Sequence, residues 1–66
     1  MAKPSEQLSG YFQRKAANLE EIADHHAAIG EASKAKEIYK QARDMYARIG
    51  AADAVTRIDG KVKKLK

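Results

Sequence analysis

The chain has 66 residues, with 13 basic and 9 acidic side chains, a formal charge of +4 and no cysteine. A chain of this size buries only about 60% of its extended surface, so one small core, or a core shared between chains, is the expectation. The absence of cysteine excludes disulfides and thiolate metal sites. No apolar run approaches the roughly 20 residues of a bilayer-spanning helix, and the opening MAKPSEQ lacks the apolar core of a secretory signal. A soluble, intracellular, cytoplasmic protein of one domain spanning 1–66 is therefore expected.

The first helix is predicted over about 5–29, starting after Ser5 rather than Ser9, since both can cap. Leu8, Phe12, Leu19, Ile22, Ala23, His26 and Ile29 recur at three- and four-residue steps, with Ala16 and Ala27 filling in. Gly30 follows Ile29, where a left-handed residue closes a helix at little steric cost.

A second helix, over about 32–49, carries Ala35, Ile38, Tyr39, Ala42, Met45, Tyr46 and Ile49 on one face. Alanine at 35 and 42 leaves room for a neighbouring backbone, and the tyrosines fill the flanks, so this face is expected to pack on another helix. Gly50 ends it. The third helix, over about 52–65, spaces Ala51, Val55, Ile58, Val62 and Leu65 regularly, with Asp53 near its start and lysines near its end, as the helix dipole prefers. No stretch alternates with period two over strand length, so the fold class is all-α.

The spacing of Ala23, Gly30, Ala35, Tyr39 and Ala42, together with Leu19, Ile22 and His26, resembles a tetratricopeptide repeat over about residues 16–49. His26 stands where that family usually has tyrosine, and Ala47 where proline often ends the second helix. The resemblance implies a helical hairpin plus a third helix that caps it or begins a further repeat; a three-helix bundle of the microtubule-interacting and trafficking type is similar at this level. Spacing and resemblance together predict helix–helix packing through Leu19, Ile22, Ala23, His26, Ala35, Ile38, Tyr39, Ala42, Met45 and Tyr46, of which Ile38, Met45 and Tyr46 rest on the spacing alone. Such repeats stack, because one hairpin cannot cover both of its faces. A homo-oligomer is thus expected, or a monomeric bundle in which the long first helix folds back as a third wall.

Little in the sequence points to catalysis. In EEIADHH, Glu21 and His25 share a helix face, but the adjacent His25 and His26 point about 100° apart and cannot both serve one ion undistorted. A solvated His25 and a half-buried His26 are the plainer reading. No phosphate-cradling glycine loop, nucleophile pair or metal spacing is present, so neither enzyme activity nor a cofactor is expected.

Two binding readings remain. The positions matching the family's inner groove are Ala17, Glu20, Asp24 and Ala27; their acidic character implies a protein or peptide ligand of basic character, against the alternative that both carboxylates are merely solvated. The other reading places nucleic acid on the basic tail of Lys61, Lys63, Lys64 and Lys66, whose removal leaves 9 basic against 9 acidic groups. No aromatic residue is interleaved there to stack on bases, and a solvated helix end accounts for the same residues. A third reading is an artificial or excised repeat unit whose only role is assembly.

Overall fold

The computed structural model describes the backbone of residues 4–65 and the side chains of residues 10–65. It contains three helices, α1 (Pro4–Ala28), α2 (Ala32–Arg48) and α3 (Ala52–Lys64), and no strand among the described residues. The ends fall within about a residue of those predicted. α1 begins at Pro4, one residue before the capping serine expected, with a proline at its first position, where a missing N–H removes no intrahelical bond. No helix among the described residues is long and apolar enough to cross a membrane.

Both turns are built alike. Gly30 and Gly50 adopt φ of +86° and +73°, a left-handed conformation that costs a residue with a Cβ roughly 1–2 kcal/mol. After Gly30, the Glu31 N–H donates to the His26 carbonyl at 2.8 Å and the Gly30 N–H to that of Ala27 at 3.2 Å. After Gly50, Ala51 and Gly50 donate likewise to Tyr46 and Ala47 at 2.9 and 3.1 Å. This pairing satisfies the last carbonyls of each helix and reverses the chain within two residues. α2 therefore runs antiparallel to α1, α3 antiparallel to α2, and α3 parallel to α1.

The core is made of small residues and two aromatic rings: Ala16 and Ala23 of α1, Ala35, Tyr39, Ala42 and Tyr46 of α2, and Ala54 and Ile58 of α3. Leu19, Ala27, Ile38, Met45, Ile49, Ala51, Val55, Val62 and Leu65 pack around it. Ala54 is a core position that the spacing did not pick out.

Ile22 differs from the expectation. It was assigned to helix packing but is 46% exposed. Adjacent helix positions lie about 100° apart, so a face that buries Ala16 and Ala23 turns Ile22 to the side. The core takes alanine there because the rings of Tyr39 and Tyr46 already fill the space between helices, and close packing admits little more volume. The side chain of Leu8 lies outside the described residues.

Because Ala42 is fully buried in this tight core, Ala42→Leu should lower unfolding free energy by about 1–3 kcal/mol through overpacking, and Ala35→Leu likewise. Lys40→Ala, on the exposed face of α2, should change it by less than about 0.5 kcal/mol. Urea unfolding of the three variants checks this; equal tolerance at all three positions would contradict the packing.

Candidate functional site

The densest polar cluster joins all three helices. Glu20 and Asp24 lie one turn apart on α1, Arg57 and Lys61 one turn apart on α3, and Tyr39 and Tyr46 two turns apart on α2. Parallel packing of α1 and α3 opposes the first two pairs: Glu20 meets Arg57 and Asp24 meets Lys61, each 37 positions apart in the chain. Every side chain is placed by the same helical spacing that builds the core, since a tyrosine whose ring is buried at 39 or 46 must carry its hydroxyl toward the α1–α3 seam.

The result is two rungs of the same composition. In the first, Arg57 Nε donates to Glu20 Oε2 at 2.9 Å and Arg57 Nη2 to Glu20 Oε1 at 2.8 Å, a bidentate pair. The Tyr46 hydroxyl donates to Glu20 Oε1 at 3.4 Å, and the guanidinium sits 5.6 Å from the centre of the Tyr46 ring. In the second rung, the Tyr39 hydroxyl donates to Asp24 Oδ1, Lys61 Nζ donates to Asp24 Oδ1 at 3.1 Å, and the same ammonium lies 6.0 Å from the centre of the Tyr39 ring. A carboxylate from α1, a tyrosine from α2 and a cation from α3 thus recur one turn apart, and each cation gains from the ring face as well as the carboxylate. Lys61 ties the rungs together by also donating to Glu20 Oε2 at 2.8 Å.

Burial makes the first rung the more consequential. Glu20 is only 7% exposed, and a carboxylate withdrawn from water costs several kcal/mol unless it is paired and hydrogen-bonded. Arg57, against the opposing effect of burial and with help from Lys61, holds the Glu20 carboxyl down at about 2. Arg57 is raised in turn by its hydrogen bonds to Glu20. Burial and the Asp24 carboxylate push the Tyr39 phenol up, keeping it a neutral donor. For Lys61 the depressing effect of burial is outweighed by Glu20 and Asp24, and its ammonium is stabilised.

The remaining sequence-predicted positions are scattered around this clasp. Of the acidic-groove set, Ala17 is exposed and Ala27 partly buried, so only Glu20 and Asp24 enter the cluster. The cations that face these carboxylates come from the same chain. Lys61, taken in the sequence as part of a free basic tail, is partly buried in the clasp, whereas Lys63 and Lys64 are exposed and Lys66 lies outside the described residues. Glu21 and His25 are exposed; His26 instead reaches across the turn, its Nδ1 pairing with Glu31 Oε1. That contact, chiefly through its hydrogen bond, lowers the Glu31 carboxyl. Among the described residues no three His, Asp or Glu side chains converge as metal ligands would.

Arg57 was missed by sequence reasoning, as were the hydroxyls of Tyr39 and Tyr46. A signal was present: EEIAD places Glu20 and Asp24 four apart, and RIDGK places Arg57 and Lys61 four apart, a match that opposes charge on helices running in parallel.

On the other flank of α1, away from α3, large apolar residues are exposed in line with Lys15, Asn18 and His25. Tyr11, Ile22 and Ile29 are 47%, 46% and 58% exposed. They are 11 and 7 positions apart, within about 20° of one line along the helix. Comparison with family models, with curated proteins and with solved structures finds no match to this chain.

The sign of the Glu20 effect fixes a pH dependence. A carboxyl lowered from 4.5 to about 2 in the folded state contributes stability that is complete above the unfolded pKa and is lost as pH falls from about 5 toward 2, amounting to about 1–3 kcal/mol. Glu20→Gln should lose that amount at pH 7 and show a shallower decline in acid. Chemical unfolding of both proteins across this pH range tests it, and parallel acid profiles would contradict the assignment to Glu20.

Proposed function

We propose that this protein is a noncatalytic interaction module, a tetratricopeptide-like hairpin with a third helix, that associates with itself or with another protein through the outer face of α1. The observation that carries the reading is the alignment of Tyr11, Ile22 and Ile29, the large exposed apolar residues among the described ones, on one line of one helix. Single exposed apolar side chains are ordinary on protein surfaces; a line of them opposite a flank already covered marks an interaction surface. The hairpin reading draws support from Ala23, Ala35, Tyr39 and Ala42 in the core and from the turn at Gly30.

α3 contributes by closing one flank. Its cations occupy Glu20 and Asp24, so the apolar flank is the side left for association. A core built largely of alanine supplies little hydrophobic stabilisation per residue, and burial of the outer line against a second surface would add to it.

Ile22→Glu tests the reading, because it places a charge at the middle of the line without touching the core. Sedimentation from micromolar to millimolar concentration should give the unmodified chain a mass rising above the single-chain 7.3 kDa, while the variant stays at that mass with unchanged helical circular dichroism. A wild-type chain that remains at single-chain mass throughout removes the self-association limb.

A further inference from the structure

We propose that the occupant of the α1 outer face is a second copy of this chain, its α1 running antiparallel to the first in a two-fold register that sets Tyr11 of each copy against Ile22 of the other. This rests on the self-association reading above and adds its geometry. Along α1 the positions 11, 15, 18, 22, 25 and 29 step by four and three, the spacing of a helix–helix seam. They carry Tyr11, Lys15, Asn18, Ile22, His25 and Ile29. One rim of the seam holds Arg14 and Glu21, both exposed, and the other, toward α2, holds Phe12 and Leu19, both partly buried.

Complementarity selects the register. With Tyr11 opposite Ile22 of the second copy, Lys15 falls opposite Asn18, and the two-fold axis repeats both layers. Arg14 then meets Glu21 of the second copy on the outer rim, twice by symmetry, and Phe12 meets Leu19 on the inner rim, also twice. Among the described residues neither Arg14 nor Glu21 has an ion-pair partner within its own chain, and both are exposed. Lys15 already lies with its ammonium 5.8 Å from the centre of the Tyr11 ring on the same strip, and opposite it in this register stands the neutral Asn18 of the second copy rather than another cation. On the inner rim, Phe12 of α1 and Gln41, Asp44, Met45 and Arg48 of α2 line a shallow cleft of about 230 Å³, and Leu19 of the second copy would reach its Phe12 and Met45 side.

The competing arrangements each bring a conflict. An antiparallel register shifted by one heptad faces Glu21 with Glu21 and seats Ile22 on Asn18. Parallel pairing places Lys15 on Lys15 inside the seam, and like charges so placed are disfavoured. The layers from Tyr11 to Ile22 span about 16 Å, with Ile29 beyond them.

Charge exchange tests the register without altering the apolar line. Arg14→Glu and Glu21→Arg, each alone, turn both cross-pairs into repulsions and should weaken dimerisation by about tenfold or more, while the double variant Arg14→Glu/Glu21→Arg restores both pairs and should return to within a few-fold of the unmodified chain. Sedimentation over the same concentration range reads the association, and circular dichroism confirms that each variant is folded. A dimer indifferent to both single exchanges overturns the antiparallel register but leaves self-association standing. Loss in the singles without recovery in the double variant also overturns it, and a chain monomeric at every concentration sinks both.

Discussion

The position of the third helix depends on one carboxylate. Glu20 is withdrawn from water in the seam between α1 and α3, and a buried charge is tolerable only when its oxygens are occupied. Arg57, Lys61 and Tyr46 occupy them. Apolar packing of Ala54 and Ile58 presses α3 onto the hairpin, and seating those side chains already favours one position along the helix. The bidentate geometry of Arg57 and the repetition of the motif at Asp24 and Lys61 reinforce it: a shift of one turn would leave a rung unmatched. The clasp and the small core therefore agree on one register. Arg43 and Asp59, paired at 2.7 Å, add a more exposed tie between α2 and α3.

The core explains the rest of the surface. Two tyrosine rings on α2 need small residues opposite, and α1 provides Ala16 and Ala23. Helical periodicity then leaves the bulky Ile22 and Ile29 nowhere to turn but sideways, so the apolar flank is a consequence of how the hairpin closes. Shape selects alanine for the interior even where isoleucine is more hydrophobic.

The two flanks of α1 are thus chemically opposite. One is polar and filled from within the chain, its carboxylates neutralised by α3. The other is apolar, with a partly polar seam and charges of both signs at its outer rim. That asymmetry gives the proposed association a direction: contacts form on the apolar flank, and the closed flank keeps the charged seam from competing for partners.

The sequence by itself determined the three helices, their stops at Gly30 and Gly50, and the alanine and tyrosine face of α2, because each is written in local spacing and in the conformational freedom of glycine. It also singled out Glu20 and Asp24, though as a face open to a basic ligand. Only the tertiary structure decided that Arg57 and Lys61 answer those carboxylates, that the tyrosine hydroxyls join them, and that Ile22 lies outside the core. The physical reason is that periodicity fixes the angles between residues on one helix, whereas the neighbour each face meets follows from how three helices share one space.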